Sequence, residues 1–276
     1  MFEPGIAVQL SPLVRRITAP NPGPMTGPGT NTYLLGTDQI AVIDPGPAID
    51  SHIDAIMAAS AGKIGQIFCT HTHSDHSPAA AKLAELTGAE LIGAPPPNDP
   101  YNDQTFNPTV SVFDGQRFKG SDFTVLAVHT PGHVGNHYCF LLEEEGMVFA
   151  GDHVMNGSTV VIIPPSGDMK HYVESLQKLA QLPLQVIAPA HGDLIGAPLD
   201  EINGLIAHRL KREAKVVETL ERIGAKTIAE MVSAVYDDVH PDLHTWAKLS
   251  LEAHLLKLEV EMRVSRSSDE RWALIK

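Results

Sequence analysis

No stretch of the chain narrows its fold and chemistry more than Thr70-His71-Thr72-His73-Ser74-Asp75-His76, which follows directly on the apolar run Ile64 to Cys69. The apolar run reads as a buried strand, so four metal-competent side chains fall at a strand end. His71 and His73 share a face through the period of two and can reach one ion, while the turn that follows can aim Asp75 and His76 at a second. A polar histidine-rich loop is the plain alternative. It fares poorly, because neutral imidazole is a preferred ligand of zinc and related metals and four candidates in six residues is rare. A fold that uses this run must bring other strand ends to it.

Three distant segments have the required form: a strand, a small residue, then a ligand. In Val128-His129-Thr130-Pro131-Gly132-His133 a Pro-Gly turn projects His133; in Met147 to Ala150-Gly151-Asp152 the acid follows an apolar strand; in Val186 to Ala190-His191-Gly192 the histidine does likewise. Taken singly, each is more often a turn residue. With the four residues above they make the seven side chains that a two-metal hydrolytic site requires.

The surrounding pattern is mixed. Strands are expected at Thr32 to Leu35, Ile40 to Ile43, Ala89 to Ile92, Phe123 to Val128, Tyr138 to Leu142 and Gln185 to Pro189, with helices at Ser77 to Thr87 and Lys170 to Gln181. That alternation implies a layered α/β domain over residues 1–200. Pro/Gly-rich stretches at Asn21 to Gly29 and Pro95 to Asn107 read as long loops of the kind that rim a site.

After His191 the character changes. Ile202, Leu205, Ile206, Leu210, Val217 and Leu220 trace one stripe of a long helix that Gly224 stops. Thr227 with Glu230 is a capping-box signature opening a second helix, a third starts near Asp242 and carries Trp246, Leu251, Leu255, Leu258 and Met262, and a polar turn then leads into a short strand at Arg271 to Ile275. Three helices and a hairpin over residues 201–276 are the plan of a small winged-helix-like domain.

Charge and cysteines bound the partners. Residues 1–200 hold 8 Lys and Arg against 20 Asp and Glu, and residues 201–276 hold 12 against 13. An acidic body argues against wholesale capture of a polyanion, although bound divalent cations would change the local field. Cys69 and Cys139 both lie in apolar runs, which excludes a disulfide framework and suggests a reducing, cytoplasmic setting. The start has an acid and two prolines and no basic leader, and no window approaches the length of a membrane span, so neither a signal peptide nor a membrane partner is expected.

The run His71-Thr72-His73-Ser74-Asp75-His76 resembles the metallo-β-lactamase superfamily signature H-x-H-x-D-H. The downstream Thr130-Pro-Gly-His133, Gly151-Asp152 and Ala190-His191-Gly192 match that family in order and spacing, as do Gly29-Thr30-Asn31-Thr32-Tyr33-Leu34 and Val42-Ile43-Asp44-Pro45-Gly46. The match covers roughly residues 12–200. The helical tail, with His208-Arg209 and Arg212-Glu213, resembles the lactamase-β-2-like branch, whose members add a winged-helix module and include an endoribonuclease.

The resemblance implies an αββα metallo-β-lactamase sandwich with a small C-terminal helical domain. It implies a first ion held by His71, His73 and His133, a second by Asp75, His76 and His191, and Asp152 bridging them. Zinc is the first expectation, with manganese or iron as alternatives. Asp75 and Asp152 would carry the catalytic role together with a hydroxide held between the ions, and Asp44 would fix a ligand imidazole from behind.

Three function classes compete. The first is a metal-dependent hydrolase, either an endoribonuclease acting on single-stranded RNA or a glyoxalase II-like thioesterase or lactonase acting on a small ester or thioester. The second is a di-iron redox protein, disfavoured because no flavin domain follows. The third is a nucleic-acid-binding module with structural metals, disfavoured because seven ligands exceed what a structural site needs. His208, Arg209 and Arg212 are the candidate contacts for an anionic substrate, against the plainer reading of a solvated face. The tail also offers a homodimer surface as one of its uses. Asp168, in a second Gly-Asp pair, follows Pro164-Pro165-Ser166 instead of a strand and is expected to cap the next helix. His129 and His137 are read as strand or turn residues, and His153, beside the bridging candidate, could contact substrate, although neighbours of a ligand usually point the other way.

Overall fold

The structure, a computed structural model, describes residues 2–275. They form two compact units: residues 2–130 with Asn136–Ser158 and Leu182–Pro198, and Pro131–Gly135 with Thr159–Gln181 and residues 199–275.

The first unit holds two sheets. One runs in chain order through β1 (Val8–Gln9), β2 (Val14–Thr18), β3 (Asn31–Leu35), β4 (Ile40–Ile43), β5 (Ile64–Phe68), β6 (Glu90–Gly93) and β7 (Val110–Ser111), with helices α1 (Asp50–Ser60) and α2 (Ala80–Thr87) between strands. The other comprises β8 (Arg117–Lys119), β9 (Thr124–His129), β10 (Tyr138–Leu142), β11 (Met147–Gly151) and β12 (Val186–Pro189), ordered β12-β11-β10-β9-β8. Alternation along each strand decides what each face buries. Tyr33, Leu35, Ala41, Ile43 and Phe68 point between the sheets and meet Tyr138, Phe140, Leu142 and Phe149. The Phe68 and Phe140 rings stand 5.1 Å apart, and those of Tyr33 and Phe149 5.0 Å. Leu34, Ile40, Val42 and Ile67 point the other way, against Ile53 and Ile56 of α1 and Leu83 of α2. A core with few aromatics is therefore mainly aliphatic beneath the helices and uses its rings where the sheets meet.

Strand direction positions the chemistry. β4, β5 and β6 are parallel to one another, and β11 is parallel to β12. The C-terminal ends of neighbouring parallel strands lie at one sheet edge, and from those ends emerge Asp44, the His71–His76 run, Asp152 and His191.

In the second unit, α3 (Met169–Leu179) packs on α6 (His244–Val260), and α4 (Pro198–Ile223), α5 (Ile228–Val235), α6 and the hairpin β13 (Val264–Arg266)–β14 (Trp272–Leu274) enclose a separate core. Val216, Leu220, Met231, Val235, Leu251, Leu255 and Trp272 fill it. The capping box is formed in full: Thr227 accepts from the Glu230 amide and Glu230 accepts from the Thr227 amide. Three expected stripe residues depart from the pattern. Leu210, Trp246 and Met262 are exposed, and Val216 takes an inward position on α4. On α4, 26 residues long, a stripe drifts relative to any fixed neighbour and cannot stay buried along the whole helix, whereas Trp246 lies on the first turn of α6 and Met262 lies beyond its end at Val260. No helix among the described residues is long and apolar enough to cross a membrane.

Candidate metal centre

Asp44 organises the floor of the site. It ends β4 with a positive φ of 47°, a conformation that costs a non-glycine residue energy and is retained where surrounding bonds enforce it. Its carboxylate accepts from the Thr70 amide at 2.7 Å, from the Thr70 hydroxyl at 2.7 Å and from His76 Nδ1 at 3.0 Å. Because a carboxylate only accepts, the proton lies on His76 Nδ1, and Nε2 is left as the ligand atom. The Thr70 hydroxyl, having given its proton to Asp44, accepts from His71 Nδ1 at 3.1 Å, which sets His71 to the same tautomer. His71 Nε2 then lies 2.9 Å from His73 Nδ1.

His191 is fixed in a parallel way. Its Nδ1 faces the Gly29 carbonyl at 3.4 Å, and its loop is tied down by Asn31, which donates to the Pro189 and Gly192 carbonyls at 3.1 and 2.9 Å, and by Tyr33 Oη on the Pro189 carbonyl at 2.7 Å. Gly29 cannot be replaced without rebuilding this turn: at φ +131° an added Cβ would stand 2.2 Å from the Ala19 carbonyl. The Gly-Thr-Asn-Thr-Tyr-Leu segment thus joins β3 to the loop that carries His191. Thr30 adds a bond from its hydroxyl to Asp75 Oδ2 at 3.2 Å.

The donor atoms converge. The ligand atoms of Asp75, His76 and His191 lie within 4.8 Å of one another, as do those of His71, His73 and Asp152. His76 Nε2 is 3.4 Å from Asp75 and 3.6 Å from Asp152; His191 Nε2 is 3.3 Å from each. His76 Nε2 is buried and makes no hydrogen bond. Imidazole lone pairs set against two carboxylates repel unless a cation, or a proton standing in for one, lies between them. The ionisation of the site expresses the same demand. Burial pushes His76 down, but Asp75, Asp152 and Asp44 together hold it well above the usual histidine range. His191, also opposed by burial, is raised to about 9 by Asp152 and Asp75. Burial works against ionising Asp75 and Asp152, yet the facing imidazoles keep both well below the usual carboxylate range. His71 is driven down by burial and by its neighbours His76 and His73. The donor set fits divalent metal ions, which would supply the positive charge that protons otherwise provide.

His133 belongs to the second unit and is set by that unit's contacts. Its Nδ1 donates to the Val161 carbonyl at 3.0 Å, so Nε2 is its ligand atom. Gly132 lets the turn lie on α3, where a Cβ would stand 2.3 Å from the Tyr172 backbone.

Asp168 caps α3 by accepting from the His171 amide at 2.8 Å. Arg209 and Arg212 differ from expectation. Both are buried: Arg209 donates to the Val160 carbonyl and lies over the Tyr172 ring, and Arg212 pairs with Asp238 and the Val235 carbonyl. On this face of α4 the bases have partners inside their own unit, and His208 is left exposed beside them.

Two features escaped the sequence reading. His137, read as a turn residue, stacks 5.1 Å from the His71 ring, with His153 5.5 Å beyond it, and Gly151 makes room, since a Cβ there would meet His137 Nε2 at 2.6 Å. The loop around Pro95 to Asn107 is pinned to the signature: the Thr72 hydroxyl donates to Asn102, Asn136 donates to Thr72, and Ser77 donates to Asp103. Small polar residues at scattered positions give no periodic signal that could have revealed either.

Residues 25–191 match the Metallo-beta-lactamase superfamily and residues 227–272 the Beta-lactamase associated winged helix domain. The chain therefore belongs to the metallo-beta-lactamase superfamily and is a hydrolase of that superfamily. It is similar to an atrochrysone carboxyl ACP thioesterase of Emericella nidulans, 36% identical over 277 residues that cover 96% of this chain and 85% of that protein. It is also similar to the lactamase-like protein adaB of Aspergillus niger, 32% identical with 96% and 86% covered. Among solved structures, a metallo-beta-lactamase family protein of Thermus thermophilus shares the fold at a TM-score of 0.78 and 22% identity, covering 97% of this chain and 100% of that one. A beta-lactamase domain protein of Burkholderia ambifaria does so at 0.81 and 19%, covering 98% and 94%.

Proposed function

We propose that this protein hydrolyses a thioester using two divalent metal ions, zinc first and manganese or iron as alternatives. His71 and His73, joined by His133 on the family pattern, would hold one ion; Asp75, His76 and His191 would hold the other, with Asp152 shared. The observation that carries the reading is the set of imidazoles with fixed tautomers turned onto two carboxylates. Ions bound there would lower the pKa of bound water and polarise the scissile carbonyl. The chain's own part is to keep that geometry rigid: Asp44 orients His76 directly and His71 through Thr70, and Thr30 holds Asp75.

Substrate class rests on those relatives, such as the one from Emericella nidulans, that are named as ACP thioesterases. An RNA substrate drew its sequence support from Arg209 and Arg212, whose partners are internal, and it is not carried further. The test is a paired assay of zinc-loaded protein on S-lactoylglutathione or an acyl-carrier-protein thioester and on single-stranded RNA. Thioester cleavage without RNA cleavage is expected; the reverse overturns the reading.

A further inference from the structure

Residues 159–163 belong to no helix or strand, and Val160 and Ile162 among them are buried. Buried backbone groups outside regular structure must still be satisfied, and the way these are leads to a candidate metal ligand. Three successive residues are gripped from three directions. Arg209 on α4 donates from its guanidinium to the Val160 carbonyl at 2.6 Å. His133 donates from Nδ1 to the Val161 carbonyl at 3.0 Å. Ser250 on α6 meets the Ile162 amide through its hydroxyl at 3.5 Å. The Gly167 amide closes the segment's far end on the Ile163 carbonyl at 2.7 Å.

The bond to Val161 is what decides which His133 nitrogen carries the proton and how its ring is turned. The position of that carbonyl is in turn decided by the grips on either side of it.

We propose that Arg209 is a positioning residue for His133: through Val160 it fixes the carbonyl that sets the imidazole's tautomer and angle. The assignment rests on the reading of His133 as a metal ligand. Several features of Arg209 fit this role better than a generic structural one. It is 4% exposed, and besides the Tyr172 ring that it lies over, the hydrogen bond that its guanidinium makes goes to a backbone carbonyl and not to a carboxylate, a costly arrangement for packing alone. Arg212, three residues along the same helix, shows the ordinary solution, pairing with Asp238 through two bonds. The two arginines therefore serve as test and control within one turn of α4.

The experiment measures zinc affinity by competition with a chromophoric chelator, on the full chain, for the unmodified protein, Arg209→Met, Arg209→Lys, Ser250→Ala and Arg212→Met. Partners that orient a ligand histidine typically contribute about 10- to 100-fold to metal affinity. Arg209→Met should weaken one of two zinc ions by roughly tenfold or more and leave the other unchanged. Arg209→Lys, which keeps a donor for Val160, should recover part of the loss, and Ser250→Ala should weaken the same ion by less. Arg212→Met should leave both ions as they are.

Equal affinities in Arg209→Met and the unmodified protein would overturn the proposal. So would an equal loosening of both ions in the Arg209 and Arg212 variants, which would mark general loss of stability. Where Arg209→Met does not fold, Ser250→Ala decides, and an unchanged affinity there counts against the proposal. An unmodified protein that takes up no zinc overturns the metal reading itself, which separates the two failures.

Discussion

The two units differ in how they bury charge. In the second, most buried charge meets its opposite locally: Glu213 lies between Lys257 and Arg263, and Arg212 faces Asp238, with Arg209 on the Val160 carbonyl as the exception. In the first, Asp75 and Asp152 converge on the same imidazole nitrogens, and each imidazole's other nitrogen is already committed to Asp44, Gly29 or Thr70. Balanced burial of charge holds a structure together. Imidazoles and carboxylates buried against one another, with their other atoms already bonded, are the arrangement that suits a bound cation.

The strongest way to break this contrast is at Asp152. Asp152→Ala should abolish thioester hydrolysis and lower metal content, because a shared carboxylate both links and neutralises the ions. Elemental analysis beside the assay checks it, and full activity with two ions retained would remove Asp152 from the centre. Asp44→Asn comes next. An amide can present its NH2 to His76 Nδ1 and so disturb the tautomer, and metal affinity should fall about 10- to 100-fold by chelator competition. In the second unit, Glu213→Gln should leave metal affinity alone and cost about 2 kcal/mol of stability in denaturant melts, since Lys257 and Arg263 then keep Glu261 as their one carboxylate partner. Asp168→Ala should cost about 1 kcal/mol, the value of one helix cap, with hydrolysis unchanged.

A pH experiment sharpens the contrast further. His52 on α1 is buried, and burial lowers its folded-state pKa to about 4. In the unfolded chain it titrates near about 6.5. Between those values the unfolded state binds a proton that the folded state refuses, so stability falls as pH drops from about 6.5 toward 4. In metal-stripped protein, melts of the unmodified chain should show this slope, and His52→Gln should flatten it.

Much of this was legible in the sequence because its signals are local. Ile40 to Ile43 and Tyr138 to Leu142 coincide with β4 and β10, and Thr227 with Glu230 marked the start of α5. The two Gly-Asp pairs were separable because one follows an apolar strand and the other follows Pro-Pro-Ser. What escaped depends on distant partners or weak patterns. Helix α1 begins after Ile49 with no side-chain cap and buries His52 and Ser60 beside Ile53 and Ile56, so its stripe is not purely apolar. β2 contains Arg15 and Arg16 and reads as polar, although Arg16 is buried against Asp193. Arg209 looked like part of a basic face because its partner, the Val160 carbonyl, lies 49 positions upstream. Spacing within a helix cannot reveal a bond to a remote backbone atom.

The proposed two-ion hydrolytic centre answers to one experiment, the rate of thioester hydrolysis as zinc is titrated into chelator-stripped protein. No hydrolysis is expected without metal, and the rate should rise to a plateau at two equivalents per chain. Hydrolysis at full rate in the stripped protein, or a plateau reached at one equivalent, would contradict it.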